Sequence, residues 1–143
     1  MIDKQTRSLM EIYRSAGVSG NPCDEFDIQD LEQQLAVKLP AAYKAFLMIA
    51  GNGFSPFEGS HYALEDDLAE LQRAGKRIIE TGGKTAPDYT IAFFVHQGFV
   101  TRFFFLNDGD DPPVFECVEH SCVEQIAPRF SEFLQQEVPK VDL

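Results

Sequence analysis

The chain has 143 residues, the size of one ordinary domain and too short for two independent hydrophobic cores. Hydrophobic residues make up 44% of it and charged residues 24%, a balance that excludes a disordered, fibrous or repeat-dominated chain. The 12 Lys and Arg against 23 Asp and Glu give a net charge of −11, which would repel a nucleic-acid backbone or an anionic membrane surface. We therefore expect a single domain over residues 1–143 that binds neither nucleic acid nor membrane, whereas a basic protein partner is compatible with the charge.

The first residues and the cysteines predict the cellular compartment of the protein. Asp3, Lys4, Arg7 and Glu11 place charges where a signal peptide would be apolar, and no later stretch has the length of a membrane span. The three cysteines are an odd number without the spacing of a disulfide framework, which suits a reducing compartment. We expect a cytoplasmic protein.

Apolar residues at helical spacing predict four helices in the first part of the chain. The four stripes are Leu9, Ile12, Tyr13 and Ala16; Ile28, Leu31 and Leu35; Tyr43, Phe46, Leu47 and Ala50; and Leu64, Leu68, Leu71, Gly75, Ile78 and Ile79. Asp27 and Asp30 are candidate caps of the second helix, and Pro40 fits the first turn of the third. We expect Gly51-Asn52-Gly53 to end the third helix and Gly82-Gly83 to end the fourth.

The hydrophobic period changes after residue 89 and predicts an antiparallel meander followed by a helix. Three runs rich in β-branched and aromatic residues, with turn residues between them, are Thr90–Val95, Phe99–Leu106 and Pro113–Val118. The first run is apolar on both faces, so we expect a central strand covered by helices on at least one side. Ile126, Phe130, Phe133 and Leu134, with Pro128 near the first turn, predict the closing helix. Residues 54–63 are either irregular or a short strand.

These elements predict an α+β fold, with an antiparallel β-meander packed by N-terminal helices and a C-terminal helix. Helices and strands are segregated along the chain, which is not the alternation of a parallel βαβ fold. No internal repeat, low-complexity tract or linker interrupts the sequence.

Two groups of residues resemble metal sites but lack essential members. Cys117, His120 and Cys122 offer zinc ligands, yet a structural zinc site needs four ligands, and the fourth would have to come from a distant Cys23 or His61. The acids that match positions 1, 3, 9 and 12 of a calcium loop are Asp108, Asp110, Glu116 and Glu119. That loop requires a glycine where this sequence has a proline, and its second half is predicted to be a strand. We predict no metal.

Catalytic patterns are similarly incomplete. Gly83-Lys84-Thr85 resembles the end of a phosphate-binding loop, but the first glycine of that loop is missing and a helix, not a strand, precedes it. Cys117 or Cys122 could act as a nucleophile with His96 or His120 as base, but nothing in the sequence places these residues in one pocket. We predict no catalytic residue, no cofactor and no enzymatic activity, with a small hydrolase or metal enzyme as a third alternative.

The acidic residues are unevenly distributed. Lys and Arg are absent between Arg14 and Lys38, between Lys44 and Arg73, and again over residues 107–128, and each of these stretches contains several acids. The simplest interpretation is a set of solvated helix and turn faces. The functional interpretation is that separate stretches converge into one negative patch, which would attract a cationic protein and accelerate association.

Several motifs occur in a fixed order along the chain. The helix sequence IQDLEQQLAVK is followed by LPAAYKAFLMIAGNG at Leu39–Gly53. This second segment consists of a Leu-Pro step, a helix with aromatic residues and an Asn-Gly pair that ends the helix. The second half of the chain contains, in this order, HQG, an aromatic strand, DDPPVF and the helix FSEFL. In this order the motifs resemble the SUKH superfamily of immunity and cell-wall regulatory proteins, and the resemblance covers residues 26–137.

The resemblance implies an α+β domain without catalysis. Bacterial members of the superfamily look like immunity proteins that bind and neutralise toxin domains, often nucleases, and fungal members look like regulatory interaction proteins of cell-wall synthesis. Because a nuclease presents cationic surface to phosphates, an acidic inhibitor suits such a target. Our leading hypothesis is therefore an immunity-type protein that occludes a toxin domain with a basic surface, and the alternative is a housekeeping regulatory or scaffold domain.

We expect aromatic anchors at the centre of the binding surface and acids at its rim. The candidate partner-binding residues are Phe54, Phe57, Glu65, Asp66, Asp67, Asp108, Asp110 and Asp111. We also expect a monomer, because like-charged stretches repel one another, although an apolar edge strand could pair with its twin.

Overall fold

A computed structural model describes residues 20–21, 24–50, 53–54, 61–62, 68–121 and 123–137 of the chain. The helices within these ranges are α1 Glu25–Leu35, α2 Ala41–Ala50, α3 Leu68–Thr81 and α4 Phe130–Glu137. The strands are β1 Gly20–Asn21, β2 Gly53–Phe54, β3 His61–Tyr62, β4 Thr90–His96, β5 Val100–Phe105, β6 Val114–Val118 and β7 Glu124–Ala127. The helix predicted around residues 9–16 lies outside the described residues.

The main sheet is an antiparallel meander. Its strand order is β3-β4-β5-β6-β7, so each strand pairs with the next one along the chain, while β1 and β2 pair separately. Strand β4 has a neighbour on each side and is buried along its length except at His96, as its apolar sequence predicts. The predicted α+β fold, a meander packed by helices, is confirmed.

Helix α3 covers one face of this sheet at very short distance. A Cβ atom built on Gly75 would lie 2.5 Å from the Cβ of Ala92 and 2.9 Å from Oγ1 of Thr101, so only glycine permits this approach. The buried side chain of Gln72 donates to the carbonyl of Ala92 at 2.6 Å and accepts from its amide at 2.8 Å. These bonds satisfy backbone groups beside a register shift in β4, where a buried unpaired group would be costly.

Helices α2 and α4 cover the opposite face through aromatic side chains. The ring of Tyr43 lies 5.2 Å from the Phe104 ring and 5.5 Å from the Phe130 ring, centroid to centroid. Phe93 contacts the Phe130 ring at 5.1 Å and the Phe133 ring at 5.5 Å, both edge to face. Edge-to-face pairs of this kind add stability beyond the area that they bury, so this aromatic cluster fixes α2 and α4 on the sheet.

Two predicted boundaries are wrong for local reasons. Helix α1 begins after Asp24, which caps it, so neither Asp27 nor Asp30 is its cap. Ile126 belongs to strand β7 and not to the closing helix, which begins at Phe130. The spacing from Ile126 to Phe130 fits a helix, but the backbone pairs with β6 first. Within residues 54–63, the described parts are ends of the short strands β2 and β3.

Candidate partner-binding site

The predicted site residues Asp108, Asp110 and Asp111 lie in one turn between β5 and β6, which we call the acidic turn (residues 108–111). A 3-10 helix at Leu106–Asp108 leads into it, and Gly109 has φ of 90°, a value that favours glycine. Asp108 and Asp110 are exposed and Asp111 is half-buried. The turn therefore projects carboxylates at the surface, but two of the three have partners within the fold.

Asp110 lies at the start of helix α2. Its carboxylate Oδ1 accepts from the backbone amide of Ala41 at 3.3 Å, and its carbonyl oxygen accepts from the amide of Ala42 at 2.8 Å. The first amides of a helix have no partner within the helix, so these bonds satisfy groups that would otherwise need water. The negative charge also lies at the positive end of the helix dipole.

Asp111 has the same relation to helix α4. Its Oδ1 accepts from the backbone amide of Ser131 at 2.9 Å, and its Oδ2 accepts from the Ser131 hydroxyl at 2.6 Å. The acidic turn thus connects the N-termini of the two helices that cover one face of the sheet. Among its three carboxylates, Asp108 is the one without a hydrogen bond to the described residues.

A further acid reaches the start of α2 from helix α1. The Glu32 carboxylate Oε2 accepts from the backbone amide of Leu39 at 2.7 Å. Glu32 belongs to the first acid-rich stretch and Asp110 to the third, and both meet the segment that leads into α2. One acid of the first stretch and one of the third therefore bind backbone amides of the same short segment, residues 39–41, at the start of α2.

Helix α1 carries the remaining acids of the first stretch. The Asp24 side chain accepts from the Asp27 amide at 2.8 Å, and the Asp27 side chain accepts from the Asp24 amide at 3.3 Å, which makes a capping box. Ile28 and Leu31 point into the core. Glu25 and Asp30 are exposed and make no hydrogen bond with the described residues.

Phe26 is the most exposed large hydrophobic side chain of the described residues. It is 76% exposed, whereas Phe99, Val118 and Tyr89 are exposed by 39%, 40% and 43%. The exposure of Phe26 could be predicted from the sequence, although Phe26 is not among the predicted site residues. Phe26 precedes Ile28 by two residues, which in a helix turns it about 200° away from the buried stripe.

Next to the exposed side of α1, the surface forms an open groove of about 470 Å³. The residues that line it are Gln29, Glu32, Gln33, Ala36, Val37 and Lys38. Gln29, Glu32 and Gln33 place polar groups on the α1 side of the groove, whereas Ala36 and Val37 add apolar surface and Lys38 adds a positive charge. This open, mixed lining suits a polypeptide segment better than a small apolar ligand.

The other predicted site residues are described little or not at all. Phe54 is described only through its backbone, which pairs with β1 as part of β2. Phe57, Glu65, Asp66 and Asp67 lie outside the described residues. The structure therefore places the three predicted aspartates in one turn, and Asp110 and Glu32 both bond to the segment that enters α2. The remaining candidates stay predictions.

Of the residues considered for metal binding or catalysis, Cys117, His120 and His96 are described in detail, whereas Cys23 and Cys122 lie outside the described residues. The Cys117 thiol is buried and its Sγ lies 3.9 Å from the Ile78 carbonyl oxygen. His120 is exposed, with its Nε2 3.0 Å from a Glu119 carboxylate oxygen, and the His96 ring is flanked by the rings of neighbouring phenylalanines. Over the described parts of the chain, no group of three or more His, Cys, Asp or Glu side chains could hold a metal ion.

These features define a small α+β domain whose carboxylates lie at helix starts and on one exposed helix. A family model described as the SMI1 / KNR4 family (SUKH-1) matches residues 22–136. The match covers most of the chain, so the protein belongs to this family, and the resemblance found in the sequence is confirmed. It is a protein of the immunity or cell-wall-regulator type, which in general acts on a protein partner.

A search of curated proteins found no match to the chain. Among the helices of the described residues, none is long and apolar enough to cross a membrane.

Proposed function

We propose that this chain is an immunity-type protein that binds and neutralises a toxin domain by non-catalytic occlusion. The observation that carries the proposal is the set of carboxylates on α1 and the acidic turn, in stretches without any Lys or Arg, within a chain of net charge −11. Membership of the SUKH-1 family supports a protein partner. The charge supports a partner whose surface is basic.

A toxin that cleaves nucleic acid must present cationic surface to phosphates, and an acidic protein can cover that surface. Long-range attraction would accelerate encounter, while a small number of desolvated side chains at the centre would slow dissociation. No bond in the toxin needs to change for this inhibition. In this proposal the protein acts as a cytoplasmic monomer, and the aspartates at 108, 110 and 111, the acids at 65–67 and the aromatic residues at 54 and 57 remain candidate contacts.

The test is protection of living cells. A toxin domain encoded beside the gene for this chain is induced in a bacterial host, with and without the chain, and survival is counted. An unrelated acidic protein of similar size and charge is the matched control, because charge alone should not protect. We expect survival with the chain and death with the control.

A second measurement tests the non-catalytic mechanism. If inhibition is occlusion, the activity of purified toxin falls in proportion to the added protein and reaches zero at a fixed stoichiometry. After the complex is separated, the toxin regains its activity and its mass is unchanged. Modified toxin, or substoichiometric inhibition, would reject occlusion. Failure to protect, together with stable capture of a host protein of cell-wall synthesis, would instead support the regulatory alternative.

A further inference from the structure

Helix α1 has an exposed face opposite the stripe that it buries in the core. Residues at positions 26, 29, 30 and 33 follow the i, i+3, i+4, i+7 spacing of one helix surface, and all of them are exposed. We call Phe26, Gln29, Asp30 and Gln33 the outer face of α1. The buried stripe of the same helix is formed by Ile28 and Leu31. The outer face therefore contributes little to the core.

One side chain of this face is apolar. Phe26 makes no ring contact with another described residue, and its exposed fraction is well above that of every other large exposed hydrophobic residue of the described part of the chain. An exposed phenylalanine ring is a large, rigid contact surface that loses little conformational entropy when a partner covers it. The ring face also attracts cations.

The charged residues that neighbour Phe26 along α1 and its cap are acidic. Asp24 and Asp27 are occupied by the capping box, whereas Glu25 and Asp30 are exposed and without hydrogen bonds to described residues. No Lys or Arg occurs in the sequence between Arg14 and Lys38. The acidic turn differs, because Asp110 and Asp111 there are already bonded to helix amides.

The geometry points to the outer face of α1 as the surface that docks on the toxin, and this inference rests on the proposed function. The partner it fits is a basic protein surface that places an Arg or Lys side chain over the Phe26 ring, with Asp30 and Glu25 as ion-pair partners. Charge complementarity selects this occupant: Asp30 on the face and Glu25 next to Phe26 are exposed carboxylates without a hydrogen bond to the described residues. A second copy of this chain would bring the same negative charges against them. The adjoining groove, whose lining includes Gln29 and Gln33 and also Lys38, would receive polypeptide backbone of the partner beside the anchor.

The test uses the purified toxin domain of the survival experiment, inactivated so that it can be handled, and measures binding by titration calorimetry and stopped-flow mixing. Phe26→Ala should weaken binding about 30-fold or more, the loss expected of a hot-spot residue. Asp30→Lys should lower the association rate about 10-fold at low salt, and high salt should reduce this difference.

Two matched controls lie away from α1. Phe99→Ala removes the same ring from the turn between β4 and β5, and Glu132→Lys reverses one exposed charge on α4. Both should bind within about twofold of the unaltered chain, the size expected of substitutions outside the contact. Unfolding midpoints of all four variants show whether each is folded.

The possible results separate the two proposals. If the unaltered chain binds and Phe26→Ala binds equally well, the outer face of α1 is not the interface, but the proposed function stands. If the controls weaken binding as strongly as the α1 variants, the assignment to this face is also overturned. If the unaltered chain does not bind the toxin, both proposals fail. A dimer of the free chain that Phe26→Ala dissociates would assign the face to a second copy and reject the basic partner.

Discussion

The acidic turn and helix α1 have similar composition but different physical roles. In the turn, Asp110 and Asp111 point toward the N-termini of two helices and accept hydrogen bonds from their amides. On α1, Glu25 and Asp30 point to solvent and have no hydrogen bond within the described residues. A cluster of acids is therefore not a binding surface by composition alone, and the hydrogen bonds of each carboxylate decide which acids remain available to a partner.

The strongest way to test this difference is to remove Asp111. Asp111→Ala loses the bonds to both the amide and the hydroxyl of Ser131 and leaves the start of α4 without its acceptor, at a cost of about 2 to 3 kcal/mol. Urea unfolding measures the loss. Asp108→Ala in the same turn is the control and should change the free energy of unfolding by less than about 0.5 kcal/mol. Equal losses in the two variants would contradict the structural role of Asp111.

A smaller loss is expected at the cap of α1. Asp24→Ala removes the acceptor for the Asp27 amide and one half of the capping box, which should cost about 1 kcal/mol. Asp24→Asn keeps a good capping side chain and should retain most of the stability. The same urea titration compares them. If Asp24→Ala unfolds at the same denaturant concentration as the unaltered chain, the capping box does not stabilise α1.

Asp110 should matter less than either of these acids. Asp110→Ala loses a long bond of 3.3 Å to the Ala41 amide, while the backbone bond from Ala42 to the Asp110 carbonyl remains. We expect a loss of about 0.5 kcal/mol, the low end for one hydrogen bond. Asp110→Asn, with an acceptor at the same place, is the control for removal of charge alone. A loss as large as that of Asp111→Ala would show that the two aspartates are equivalent.

Most of the fold could be predicted because it depends on local signals. The change from helical to alternating spacing near residue 90, Pro40 before α2 and the glycines after α3 gave the order of the elements and most of their limits. Strand β7 could not be predicted, because Glu124 and Gln125 are exposed and leave no alternation to detect. Its pairing with β6 is a tertiary interaction.

The roles of the acids could not be predicted for a related reason. Asp110 is 69 residues from Ala41 in sequence, and Asp111 is 20 residues from Ser131, so no local pattern indicates that they meet. The exposure of Phe26, by contrast, follows from its position outside the apolar stripe of α1. Sequence periodicity therefore predicts which side chains leave the core, but not which surface acids the fold itself uses.

The smallest expected effect on stability is at Phe26, and it distinguishes α1 most clearly from the rest of the molecule. Because the ring is mostly exposed, Phe26→Ala should change the free energy of unfolding by less than about 0.5 kcal/mol. Phe46→Ala removes an identical ring from the core and should cost about 3 to 5 kcal/mol, which calibrates the urea titration. A loss above about 1 kcal/mol for Phe26→Ala would mean that the ring packs within the fold. An unchanged stability would show that the ring has no role in folding, so that its exposure needs another explanation, such as contact with a partner.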